Sequence, residues 1–254
     1  MTTSIPWFAV AAACALAAAI PAQAGVVINS TRIIYPQREG EVAVQLTNKG
    51  DTPSRIKVWI DNGDGKADPA AGAVPFTLTP QTFRIDPGKS QALRLAYTRA
   101  PLPADRESVF WFNALEEPQQ AEPAPGTNYL KLSYQTRIKL FFRPDGLAGK
   151  PGDAPARLQW TLLPNATGKV LHVSNPTAFH VSFLFAGVAA DGVAYENGDG
   201  GMIDPGASLD IPVTRMDKPT PLPGLEAISQ PVRFIWIDDY GATVPAQASL
   251  GGGS

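Results

Sequence analysis

The chain has 254 residues and 44% apolar content, enough for one large domain or two sandwich-sized ones. Its 21 lysines and arginines face 23 aspartates and glutamates with no block of like charge, so the overall field does not suggest a nucleic-acid or anionic-membrane partner. The 23 glycines and 25 prolines are scattered as punctuation, the texture of many short strands joined by turns.

Residues 8–20 form an apolar run, and Pro21-Ala22-Gln23-Ala24 then supplies the small-x-small pattern of an export signal, with Gly25 the first mature residue. The segment ahead of the run has no lysine or arginine, which leaves an uncleaved membrane helix as the alternative. That run, at about 13 residues, is short of the about 20 that a span needs. The single cysteine, Cys14, lies inside the signal. A lipoprotein would be cleaved just before it, but Ala11-Ala12-Ala13 lacks the expected leucine. The mature chain then has no cysteine, which excludes disulfides and thiol chemistry and permits an oxidising compartment without requiring it.

From Gly25 onward, period-2 alternation dominates. Val42, Val44 and Leu46 share one face of a strand, as do Ile56, Val58 and Ile60, and again Leu93, Leu95 and Tyr97. No mature segment carries a convincing helical stripe. Ile85-Asp86-Pro87-Gly88 is echoed by Ile203-Asp204-Pro205-Gly206, and Asn48 and Asn175 each follow an alternating strand. Asp-Pro-Gly is a turn signal, because proline fixes φ and glycine accepts positive φ. Two copies of a similar sandwich explain both echoes, with chance recurrence of common turn words as the alternative. Residues 144–155 are rich in turn formers and poor in apolar side chains. The expected division is a signal at 1–24, a first sandwich at 25–146 and a second at 147–254.

Several motifs, read together, carry a resemblance. Thr31-Arg32-Ile33-Ile34-Tyr35-Pro36 sets an arginine among apolar residues. Arg106-Glu107-Ser108-Val109-Phe110-Trp111-Phe112-Asn113 starts charged and becomes aromatic. Arg137-Ile138-Lys139-Leu140-Phe141-Phe142-Arg143-Pro144 embeds a lysine in an apolar strand. Ser174-Asn175-Pro176-Thr177 and Asp238-Asp239-Tyr240-Gly241 follow in the second half. In order and at natural spacing, these resemble the periplasmic pilus (fimbrial) chaperones, the PapD-like family.

The resemblance implies an all-β fold of two immunoglobulin-like β-sandwich domains set at an angle with an interdomain cleft. It implies a periplasmic protein that binds, folds and caps pilus subunits by donor-strand complementation and delivers them to an outer-membrane assembly usher. It implies no cofactor, no metal, no nucleic acid and no catalytic step. The donor strand maps to residues 128–142, where Leu130, Leu132 and Tyr134 form an apolar row for the subunit's open groove. Arg32 and Lys139 match the pair that holds the subunit's C-terminal carboxylate. Glu107, Arg143 and Asp239 match an ionic network that bridges the domains and sets their angle. The connection at 116–127 is fairly short and no cysteine pair flanks the donor strand, which places the chain in the short-loop branch. Leu115-Glu116-Glu117-Pro118 departs from the more apolar, two-proline stretch common in the family.

Each assignment has a plainer counterpart. The apolar row could pack in its own domain's core, and each cation could reach water or an internal acid. Lys139 also has the parity opposite to the apolar row, so a twist or bulge is required if all of them face one partner. An unpaired apolar edge leaves self-association of the free chain open.

Two other classes of protein fit less well. An enzyme would need a nucleophile elbow, a phosphate-binding glycine loop or metal-spaced histidines, and none occurs. His172 and His180 read as surface or core residues, and Asp61-Asn62-Gly63-Asp64-Gly65 reads as a hairpin turn rather than a calcium loop. A pilus subunit or adhesin would lack its own final strand and commonly carry a disulfide.

Overall fold

The computed structural model describes residues 25–63, 74–118, 132–165, 168–190, 192–224 and 230–251. The signal segment, Leu130 and most of the 116–127 connection lie outside the described residues.

The first half contains nine strands: β1 (Val26–Ile28), β2 (Arg32–Pro36), β3 (Val42–Asn48), β4 (Ser54–Asp61), β5 (Phe76–Thr79), β6 (Thr82–Ile85), β7 (Ser90–Tyr97), β8 (Ser108–Pro118) and β9 (Tyr134–Arg143). They form two facing sheets, ordered β1-β3-β7-β5 and β2-β9-β8-β4-β6. The alternating apolar positions of the sequence supply the core between them: Val44, Leu46, Ile56, Val58, Ile60, Leu93 and Leu95 are all buried there with Phe112 and Leu140. Tyr35 is the polar-tipped member. Its ring packs edge-on to Phe76, and its hydroxyl accepts the Tyr97 N–H at 3.0 Å.

The second half contains β10 (Gln159–Asn165), β11 (Gly168–Ser174), β12 (Val181–Ala190), β13 (Val193–Asn197), β14 (Gly201–Ile203), β15 (Ser208–Pro212), β16 (Thr214–Met216), β17 (Val232–Ile237) and β18 (Thr243–Ala248). One sheet runs β10-β11-β15; the other runs β16-β13-β12-β17-β18, with β14 also on β12. A separate core forms around Trp160, Leu171, Phe183 and Phe234. Between the halves the turn-rich segment makes two short 3₁₀ turns, Pro151–Asp153 and Pro155–Arg157.

The internal echo is a repeated corner. Asn48 Nδ2 donates to the Ile85 carbonyl at 3.0 Å, and Asn175 Nδ2 donates to the Ile203 carbonyl at 3.4 Å. In each copy the Asp-Pro-Gly glycine returns the contact: Gly88 N–H to the Asn48 carbonyl and Gly206 N–H to the Asn175 carbonyl, both 2.9 Å. Both glycines have positive φ, 69° and 68°, as the turn demands. One asparagine therefore pins the end of a strand to a distant turn, twice in the chain.

One expectation needs correction. Glu116 and Glu117 do not begin the connection; β8 continues through Pro118 and pairs with β4 along its length. Of the expected donor segment 128–142, residues 128–131 lie outside the described residues, Leu132 precedes the strand, and β9 runs from Tyr134 to Arg143. No bulge interrupts β9: its register with β8 is continuous from Glu116↔Tyr134 to Ser108↔Phe142. Lys139 and Tyr134 therefore lie on opposite faces of one regular strand.

Candidate functional site

Strand β2 is short because the chain changes sheets at its start. β1 pairs with β3 in one sheet, and residues 29–31 then cross to the other, where β2 runs parallel to β9. Only residues 139–143 of β9 receive β2 as a neighbour. Among the described residues, no strand pairs with 134–138 on the side away from β8. That stretch is an open edge continuous with an inner strand.

The side chains change character close to this point, between residues 136 and 138. Ile138, Leu140 and Phe142 point into the first domain's core. Tyr134 shares their parity but sits at the open lateral edge of the sheet, in register with Glu116, and is 58% exposed, with Leu132 before it at 50%. These two are exposed and do not belong to their own domain's buried core.

The opposite face of β9 looks across the cleft. Arg32 and Lys139 are direct register partners on β2 and β9, which places their side chains on the same face. Arg32 Nη1 donates to the Ile237 carbonyl at 3.0 Å, and Lys139 Nζ makes a long hydrogen bond of 3.3 Å to Ser182 Oγ. Ser182 and Ile237 are themselves register partners on β12 and β17. A pair from the first domain thus faces a pair from the second. Arg32 and Ile237 line the cleft, and none of the four is a carboxylate.

The charges on this face divide into two groups. Arg137 is ion-paired to the buried Asp61 at 2.7 Å and stacks on Trp111 at 4.3 Å. Arg143 is paired twice, to Glu107 at 2.7 Å and to Asp239 at 2.7 Å. Arg32 and Lys139 form no salt bridge among the described residues, and Arg32 Nε is buried without a hydrogen-bond partner. The pKa values follow this division. Burial lowers that of Arg32, against weaker upward pulls from Asp239, Asp238 and Glu107. Burial lowers that of Lys139 too, the adjacent Arg32 charge lowers it further, and Asp204 offsets part. For Arg143 burial also acts downward, but the hydrogen bonds and charges of Asp239 and Glu107 outweigh it and hold the value above normal.

The Glu107–Arg143–Asp239 residues expected at the domain junction are in contact, and the structure adds a member. Glu107 Oε2 accepts the His180 N–H at 2.8 Å and lies 3.2 Å from His180 Nδ1. The Glu107 N–H donates to the Ala178 carbonyl at 2.9 Å. Gly241 seals the same junction, because a side chain there would overlap the Thr31 hydroxyl just before Arg32. His180 reads in the sequence as an unremarkable histidine. The signal that could have found it is its place just after the Asn175 corner, which turns the chain towards Glu107. The cleft, of about 240 Å³, is lined by Arg32, Phe141, Arg143, His180 and Trp236 among others.

Asp61, the first residue of the calcium-like string, already serves Arg137, Asn113 Nδ2 at 2.7 Å and the Gly63 N–H at 2.7 Å. Those contacts give it a structural role. Among the described residues no group of three or more histidine, cysteine, aspartate or glutamate side chains could hold a metal ion. No helix among them is long and apolar enough to cross a membrane.

Comparison with known proteins agrees with this architecture. Residues 25–148 match the N-terminal domain of PapD, described as a pili and flagellar-assembly chaperone, and residues 153–248 match the PapD C-terminal domain. The probable fimbrial chaperone YadV of Escherichia coli K12 is 40% identical over 230 residues, covering 89% of this chain and 90% of YadV. The chaperone protein FimB/FhaD of Bordetella pertussis is 40% identical over 233 residues, 90% of this chain and 89% of its own length. A solved structure of Salmonella enterica SafA pilin in complex with the SafB chaperone superimposes with a TM-score of 0.67 at 27% identity, covering 89% of this chain and 96% of that one. Two matched domains and relatives aligned along nearly their whole length establish that this chain belongs to the PapD-like family of pilus-assembly chaperones.

Proposed function

We propose that the chain is a non-enzymatic periplasmic chaperone that holds an incomplete pilus subunit on the open edge of β9 and passes it to an outer-membrane usher. The observation that carries this reading is the pair of uncompensated cations, Arg32 and Lys139, at the point where the open edge meets β2. Burying two like charges side by side without an acid is costly unless a ligand supplies one.

A terminal carboxylate fits the gap, and it also sets the direction of the guest. A strand laid beside 134–138 lies in line with β2. For its C-terminus to reach Arg32 and Lys139 it must run parallel to β9, as β2 does. Each charge-assisted hydrogen bond to the carboxylate contributes about 1.5–3 kcal/mol. The anchored end fixes the register of the row, so that Leu132 and Tyr134 meet the guest's groove and not its rim. The two faces of β9 then have two tasks: apolar side chains fill the guest, and the cation on the other face holds its tail. SafB, a structural relative, is known in complex with the SafA pilin, which supports the same class of partner here.

Co-expression with candidate subunits, followed by mass spectrometry of what co-elutes, tests the proposal. Arg32→Ala and Lys139→Ala are each expected to stay folded and to retain no subunit. Undiminished co-purification with both variants would overturn the assignment. A second reading, pairing of two free copies through the same edge, is favoured by the exposure of Leu132 and Tyr134. It predicts a dimer in concentration-dependent sedimentation that a bound subunit dissolves.

A further inference from the structure

Four glutamate or aspartate side chains are buried in the described residues: Asp61, Glu107, Glu116 and Glu196. Three have an arginine: Arg137 for Asp61, Arg143 for Glu107 and Arg233 for Glu196, each at 2.7 Å. Glu116, 9% exposed on β8, has no ion pair among the described residues. Its oxygens accept the Val26 N–H at 2.9 Å and the Ser54 hydroxyl at 2.6 Å, both neutral donors. A buried carboxylate so placed lacks a counter-charge that its three counterparts possess.

The main chain of Gly25 lies against this carboxylate. A Cβ at residue 25 would stand 2.5 Å from Glu116 Oε2 and 2.6 Å from Oε1, so a larger residue there would have to displace the carboxylate. The Gly25 carbonyl is held in turn by the Lys49 N–H at 3.0 Å. The backbone nitrogen of Gly25 is bonded to the same Cα as that hypothetical Cβ. The match to the family's first domain also begins at this residue, and the small-x-small pattern ends just before it.

We infer that Glu116 is the receptor for the α-ammonium of Gly25 that export processing creates. The inference rests on cleavage before Gly25. Hydrolysis breaks the Ala24–Gly25 amide bond; water supplies the hydroxyl to the Ala24 carbonyl carbon and a proton to the Gly25 nitrogen. A neutral amide becomes a cation beside a buried anion that has none. Docking of β1 then completes the edge of the first domain's four-stranded sheet, and the crossover at 29–31 that delivers Arg32 to β9 is tied down at its origin. Processing and completion of the site are thereby coupled: a chain still carrying its leader leaves Glu116 uncompensated.

The test uses the full mature chain beginning at Gly25, released from a fusion that leaves no extra residue, with its α-amine free or acetylated. Each form is made with the native sequence and with Glu116→Gln. Acetylation is expected to lower the Tm of the native-sequence protein by about 2–4 °C, and to speed hydrogen exchange at the Val26 and Lys49 amides about tenfold. In the Glu116→Gln background acetylation is expected to change neither. Equal Tm and exchange with and without the acetyl group, or the same loss in the Glu116→Gln protein, would overturn the pairing. N-terminal mass analysis of the exported protein checks the premise separately. A first residue other than Gly25 would overturn the coupling to export, whatever the acetylation result.

Discussion

Residues 139–143 of β9 and residues 134–138 belong to one unbroken strand, yet they live in different solvents. The first stretch has β8 on one side and β2 on the other, and its even-numbered side chains fill the first domain's core. The second has β8 alone: Ile138 still packs in the core, while Thr136 and Tyr134 are exposed at the sheet edge, as is Leu132 just before the strand. The boundary between them is Lys139, beside Arg32. The difference lies in what covers the strand: the same alternation that builds the core ends in exposed side chains beside an edge that has no second strand neighbour among the described residues. Under the proposed function, the like-charged pair at the boundary marks where the home strand stops and a guest strand begins.

The largest effect should come from removing the boundary. Arg32→Met together with Lys139→Met keeps the aliphatic stems and deletes both charges. Losing two charge-assisted bonds of about 1.5–3 kcal/mol each should weaken subunit binding by roughly 10²-fold or more. The free protein should melt no lower than the native one, because two desolvated, mutually repelling cations have gone. Titration calorimetry against a purified subunit and thermal melts of the free protein give the two numbers. A marked fall in Tm with affinity intact would mean that the pair serves the fold.

A second effect separates the two stretches within one row. Leu132→Glu replaces an exposed apolar side chain, so stability should change by no more than about 0.5 kcal/mol, while subunit binding weakens by about 1.5–3 kcal/mol. Leu140→Ala, eight residues further along the chain and fully buried, should instead cost about 2–5 kcal/mol of folding stability. If Leu132→Glu unfolded the domain, or if both variants lost binding only in proportion to stability, the open stretch would be an ordinary part of the core.

Much of this contrast could be read from the residues. The alternation at Val42, Ile56 and Leu93 identified buried faces correctly because one side of each strand meets a facing sheet. The Asp-Pro-Gly echo identified a repeated corner because a turn is a local object with local chemistry. Arg32 and Lys139 became a pair through family resemblance, and their direct register then followed from the parallel β2–β9 ladder. Other features depend on contacts between residues far apart in the chain. Nothing near Glu116 in sequence announces Gly25, 91 residues earlier by number, and nothing near His180 announces Glu107. The row of Leu132 and Tyr134 was ambiguous between core and partner because alternation reports a buried face without saying who buries it. Sheet order bears on that question: the β2–β9 ladder reaches only from 139 to 143, which leaves 134–138 without a second strand neighbour among the described residues.

The smallest effect, and the one that separates charge from shape, is a pH dependence with opposite signs in the free and bound states. The folded pKa of Lys139 lies below its ordinary value of 10.5, chiefly through burial and then through Arg32. Between the lowered value and 10.5 the unfolded chain binds more protons at this site than the folded one. Its contribution to stability therefore rises with pH across that window and is lost as pH falls through the folded pKa. A guest carboxylate favours the protonated lysine, so affinity should fall over the same window. Tyr97 works against the first trend, because burial raises its pKa above 10.0 and its contribution declines as pH climbs past that value. The informative quantity is thus the difference between the native protein and Lys139→Met, in which Tyr97 cancels. Urea melts and binding isotherms at matched alkaline pH values should give a stability difference that changes in the native protein's favour with pH, and an affinity difference that shrinks. Parallel curves for the two proteins would show that Lys139 titrates as an ordinary surface lysine, and the boundary in β9 would then be one of shape alone.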